Sequence, residues 1–125
     1  MLIRRTLSAV LVGFAGFATH VALAHHGWSG QNDVQFELSG TLHTQLSLNG
    51  AHATMRVQDN DGNVWDITLG PGSRTSRAGL SEDTIPVGAA VTVSGHRSSN
   101  MDRREIKTER VIYNGKNYDV YPNRL

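Results

Sequence analysis

The sequence contains no cysteine. That excludes a disulfide framework, a thiolate metal site and a thiol nucleophile, so the fold has to be held by an apolar core. Any metal ligand has to come from His, Met, Asp, Glu, the backbone or an amino terminus. No apolar stretch reaches the roughly 20 residues that a membrane-spanning helix needs; the one apolar run, Leu7 to about Phe17, is short and interrupted by Gly13 and Gly16. There is no run of lysine or arginine either, which argues against nucleic-acid binding, whose affinity rests on neutralising phosphates. Gly-x-Ser-x-Gly, His-Glu-x-x-His and a phosphate-binding loop are all missing, so no recognisable catalytic set is present and a binding protein is expected over an enzyme.

What is present at the front reads as an export signal. Arg4 and Arg5 precede the apolar run, and Ala22-Leu23-Ala24 gives the small-x-small pattern of a cleavage site. The arginine pair raises a twin-arginine route, but its surroundings fit that signal poorly and ordinary export is expected. Cleavage after Ala24 leaves 101 of the 125 residues, enough for one small domain with one core. It also removes two of the twelve basic residues, leaving ten against eleven acidic ones. The expected division is a signal over 1–24, an arm over 25–33 and one domain over 34–125, in a periplasmic protein.

Beyond the arm the pattern is that of strands. Val34, Phe36 and Leu38 alternate with Gln35, Glu37 and Ser39, Gly40 bends the strand, and Leu42 and Leu46 carry the apolar face onward. Asn49-Gly50 and Asp59-Asn60-Asp61-Gly62 are turn signals. Between them Ala51, Ala53, Met55 and Val57 form the inward face of a second strand, with His52 on its other face; Val64 to Leu69 is a third, with Trp65 in the core. Asp61 lies in a turn without the spacing of a calcium loop. Pro71-Gly72-Ser73 breaks the sheet, and Arg74 to Leu80 reads as a short helix capped by Ser73 and Gly79. Strands resume through Val87 to Gly95 and Ile106 to Tyr113, with a short last strand around Tyr118, Val120 and Tyr121. Three strands, one short helix and two or three more strands is the element order of an all-β, OB-like barrel of five to six strands with its helix between strands 3 and 4. A small open sandwich is the alternative.

The chain resembles a family of small exported bacterial proteins, grouped as a domain of unknown function, whose mature forms begin with two histidines. The matching pieces are His25-His26-Gly27-Trp28, Gly40-Thr41-Leu42, His52, Val64-Trp65-Asp66-Ile67-Thr68-Leu69-Gly70-Pro71, Ser73-Arg74, Gly79-Leu80, Val91-Thr92-Val93-Ser94-Gly95 and Gly115-Lys116. They run through essentially the whole mature chain. The resemblance implies a periplasmic, OB-like, all-β domain and carries no established activity. Two places depart from the pattern: Gly50-Ala51 stands where the family has Asn-Pro before the second-strand histidine, and Leu48 where it has a tryptophan.

The chemistry follows from the cut. With His25 first, its α-amine and ring Nδ1 form a chelate that the uncut chain lacks. Copper(II) tops the divalent affinity order and favours tetragonal nitrogen and oxygen sites; the amine titrates near ~8 and imidazole near ~6.5, so a metal displaces the remaining protons at modest cost. His26 and His52 are the expected partners. His43, Asp33 and Trp28 are secondary candidates, Trp28 serving equally well as an anchor for the arm. His96 reads as an exposed or hydrogen-bonded loop histidine, and Arg97, Arg103, Arg104, Lys107 and Arg110, interleaved with Asp102, Glu105 and Glu109, as a solvated strand edge. Arg74 and Arg77 beside Ser73 are a weak anion-binding candidate. The expected function is a copper buffer or carrier; the alternative is a metal-free module that binds a periplasmic protein or small ligand.

Overall fold

The computed structural model describes residues 28–125, so the signal, the cleavage site, His25 and His26 lie outside the described residues. Six strands follow in order: β1 Gln31–Ser47, β2 Thr54–Gln58, β3 Val64–Thr68, β4 Ala90–Ser98, β5 Glu105–Tyr113 and β6 Lys116–Asp119. One helix, α1 Gly72–Arg77, stands between β3 and β4, and a single 3-10 turn, Pro122–Arg124, ends the chain. No helix among the described residues is long and apolar enough to cross a membrane.

The strands close into a ring. β1 is long enough to pair antiparallel with β4 along its first half and with β2 along its second. β2 continues to β3, β4 to β5, and β3 meets β5 in a short parallel ladder from Asp66↔Glu105 to Thr68↔Lys107. Closure leaves none of these five strands with a wholly unpaired edge, and β6 is added on the outer side of β5. This is the all-β OB-like arrangement, with the helix where the element order put it.

Alternation fills the interior. Leu38, Leu42 and Leu46 from β1, Met55 and Val57 from β2, Trp65 and Ile67 from β3, Val91 and Val93 from β4 and Ile106 and Val111 from β5 are all buried in one cluster. Each fully buried aliphatic side chain contributes roughly 1.5–3 kcal/mol. Gly40 is where β1 turns from β4 to β2; a Cβ there would run into the Gln58 carbonyl, so the bend requires glycine.

Several boundaries differ from the sequence reading. β2 starts at Thr54, and Ala51-His52 forms a bend, because Ala53 is tied on both sides to the chain after β3 (Ala53 N to Gly70 O, Leu69 N to Ala53 O, both 2.8 Å). Ser73 does not cap α1; the helix begins after Pro71 without a side-chain cap, while Gly79 closes it at φ 100° as expected. β4 runs on past Gly95 to Ser98, which takes His96 out of a loop and into the sheet.

Candidate functional site

The polar centre of the molecule is on the outer face of β4 and β5, and a bulge creates it. Ser94 faces Arg110 but Gly95 faces Thr108, so Glu109 is an extra residue in β5. Bulges of this kind re-aim a side chain. Gly95 permits it, since a Cβ there would strike the Lys107 carbonyl. The chain after β6 fixes the bulge in place: the Glu109 carbonyl accepts hydrogen bonds from Val120 N at 2.8 Å and Tyr121 N at 3.1 Å.

The Glu109 side chain is wholly buried and its Oε1 lies 2.6 Å from His96 Nε2. The imidazole is the partner of this carboxylate, and no other side chain or backbone donor among the described residues reaches its oxygens. The other ring nitrogen, His96 Nδ1, stands 2.8 Å from the Asn32 carbonyl. A carbonyl oxygen only accepts, so Nδ1 carries a proton and Nε2 is the atom presented to Glu109.

The arm covers this pair. Trp28 meets His96 edge-on at 5.7 Å between ring centres and Tyr121 edge-on at 5.2 Å. Two cations lie over the same indole, Arg124 at 4.0 Å and Lys107 at 4.8 Å. Such contacts contribute about 0.5–1.5 kcal/mol each. Burial, and then the charge of Arg124, lowers the pKa of Lys107. Burial raises that of Tyr121, against the opposing pull of Arg74, whose guanidinium sits 4.8 Å from the Tyr121 ring. The solvated strand edge expected around Lys107 and Glu109 is therefore incorrect, and so is the loop placement of His96. β5 has neighbours on both sides, and the arm dries the face that period-two reading assigned to solvent.

The other candidates are dispersed. His52 is half-buried in the bend before β2; it does not stand on the strand. His43 is exposed on β1 where the register with β2 shifts, and Asp33 is exposed near the start of β1. Among the described residues, Trp28 is the one sequence candidate found in the His96–Glu109 cluster, and no three or more His, Asp or Glu side chains are gathered so as to hold a metal ion. Arg74 and Arg77 line a groove of about 210 Å³ with Asp119 and Pro122. Arg74 is directed at the Tyr121 ring and the Val120 carbonyl, Arg77 at the Ser73 carbonyl. The carboxylate that organises the β2–β3 turn is Asp59, which accepts from Asp61 N, Asn63 N and Trp65 Nε1 at 2.9–3.0 Å; Asp61 has no such role.

No family profile and no curated protein matches the sequence. Among solved structures, the chain is similar to the ZRD-deleted mutant of TiaS in complex with agmatine, at 13% identity and a TM-score of 0.51, over 69% of this chain and 26% of that one. It is also similar to TiaS in its complex with a tRNA and ATP, at 14% identity and a TM-score of 0.47, over 62% of this chain and 17% of that one. The chain thus spans about a quarter or less of the structures it matches. At this identity the likeness to the first is one of fold.

Proposed function

We propose that this chain is a periplasmic metal-binding protein that buffers or carries copper(II) on its processed amino terminus. The observation that supports the reading is the anchoring of Trp28. His25 precedes Trp28 by three residues. An extended chain covers at most ~3.3–3.6 Å per residue, so His25 is kept within about 11 Å of a tryptophan held by two aromatic rings and two cations. A chelate formed three residues before a held tryptophan would start from a chain already ordered at that point, which would lower the ordering cost of binding. In this reading the His25 amine and ring Nδ1 take the metal, and His52 or His26 completes the set.

The test is a copper(II) titration of protein that begins at His25, against a form carrying one additional residue before it. The additional residue converts the amine to an amide and is expected to weaken binding at least 100-fold. Equal affinity of the two forms rejects the chelate.

A second reading, a metal-free module for a protein partner, is favoured by a different observation. Val34 and Met101 are exposed and border a cavity of about 270 Å³ with Phe36 and Arg97 at one end of the barrel. It requires that partner capture survive replacement of His25 and His52 and be lost in Val34→Asp with Met101→Asp.

A further inference from the structure

The apolar lining of the barrel continues past the point where the core is closed. On β1 the inward row runs from Leu38, 7% exposed, through half-buried Phe36 to Val34, 69% exposed. Met101, 52% exposed, lines the same open end. With Asn32 and Arg97 these side chains border a cavity of about 270 Å³. The mouth of a barrel is a place where small-molecule sites form, and such sites are mostly apolar with a few polar groups that orient the ligand. A cavity of roughly 150 Å³ accepts a benzene ring, so this one has room for a ring and a short chain.

Arg97 is the unusual member of that lining. It follows Val91, Val93 and Gly95 on the inward side of β4, where aliphatic side chains are the rule. Its guanidinium lies 4.7 Å from the centre of the Trp65 ring and 5.4 Å from that of Phe36. Nη2 donates to the Met101 carbonyl at 3.2 Å, and Nε is buried with no acceptor among the described residues. None of the four ion pairs among the described residues includes Arg97. Asn32 is also short of an acceptor: its Oδ1 takes Val34 N at 2.8 Å, which leaves the NH2 group as a donor. The polar side chains of this lining therefore supply N–H donors and a positive charge, and no carboxylate stands among them. A buried donor left unanswered is destabilising, and an anion seated there answers it.

We infer that this cavity binds a small amphipathic carboxylic acid of arylalkanoate size, with its apolar body on Val34, Phe36 and Met101 and its carboxylate on Arg97. The inference rests on the metal-free reading, whose small-ligand form it specifies. A planar guanidinium matches a carboxylate through two parallel N–H···O bonds, and the rings of Phe36 and Trp65 hold the fork in one orientation. Such a charge-assisted bond is stronger beside apolar walls than in open water, because the surrounding dielectric is lower. Met101 is unbranched and flexible, so it adapts to the shape of the body it covers. A compact cavity with one unpaired cation suits a monocarboxylate better than a polyanion.

The experiment titrates the ¹³C-methyl-methionine-labelled protein with phenylbutyrate and with phenylbutyramide, its neutral isostere. The acid is expected to shift the Met101 methyl resonance saturably and to leave that of Met55, buried in the core, in place. The amide is expected to bind at least about 10-fold more weakly. Arg97→Gln removes the charge and is expected to weaken the acid by a similar factor while leaving the amide unchanged. An unmoved Met101 resonance, or equal binding of acid and amide, overturns the inference. So does an acid that binds Arg97→Gln as tightly as wild type. Should Arg97→Gln fail to fold, the comparison of acid and amide on the wild type decides the question by itself. If the acid fails to bind and Val34→Asp with Met101→Asp still abolishes partner capture, the small acid is rejected and the metal-free reading stands. If capture also survives that double change, both fall.

Discussion

Two regions of this small protein are equally dry and built on opposite principles. The barrel interior excludes water with aliphatic side chains, of which Val57, Val93, Ile106 and Val111 have no accessible surface at all. The outer face of β4 and β5 excludes it around polar groups, with a tryptophan set against His96 and Lys107 and with Glu109 buried beside them. Loss of an interior methyl costs its transfer energy and leaves a cavity. Loss of one partner from the outer pair leaves a buried polar group without its contact. The second region is thus the more sensitive to single changes and the more tolerant of paired ones.

The largest expected effect tests that contrast directly. His96→Ala strands the Glu109 carboxylate and is expected to cost about 3–5 kcal/mol by urea unfolding, whereas His96→Leu with Glu109→Leu returns to within about 1 kcal/mol of wild type or exceeds it. A double variant no more stable than His96→Ala would mean that the two side chains are not coupled. In the interior, Val57→Ala removes two methyl equivalents from a fully buried site and is expected to cost about 2 kcal/mol, with no second-site change restoring it short of refilling the volume. Trp28→Ala sharpens the comparison in a third way, because it uncovers the pair without altering either member. The loss of its ring and cation contacts is worth about 1–2 kcal/mol. Hydrogen exchange should then quicken at Gln31, whose amide bonds the Trp28 carbonyl at 3.0 Å, while Val93 and Val111 stay protected.

The same contrast explains what was legible in the sequence. Leu38, Leu42, Met55, Val57, Trp65 and Ile67 declare the barrel because strand alternation and burial coincide there. Pro71-Gly72 and Gly79 mark the helix because backbone geometry demands those residues. His96, Lys107 and Glu109 carry the opposite pattern: polar side chains on outward positions, whose ordinary reading is solvent. Their burial is imposed by a segment 64 residues away in sequence, from which Asn32 reaches His96, and no local periodicity encodes such a contact. One signal was available in Gly95, since an isolated glycine inside a strand marks a bulge or a close backbone approach. His52 was misplaced for a related reason. Alternation continues formally through Ala51 and Ala53, but the tie between Ala53 and Gly70 ends the β2 ladder first.

The smallest effect lies where the two regions are closest in character, at a polar group that serves the core. Asp59 holds the β2–β3 turn and receives Trp65 Nε1, so the indole that fills the barrel has its one donor satisfied. The hydrogen bond from Trp65, followed by those from the turn, lowers the Asp59 pKa below its ordinary 3.8 against a partly offsetting desolvation. A carboxylate depressed on folding adds stability that is fully present above the unfolded value and is lost as pH falls through the folded one. Asp59→Asn presents one acceptor where two are used, either to the turn amides or to the indole. The variant should therefore unfold at slightly lower urea than wild type at pH 7, and the two midpoints should converge as the pH is taken below 3.8 and through the depressed value. A gap that stays constant from pH 7 to pH 2 would assign the loss to packing around Trp65 and leave the carboxylate charge with no part in it.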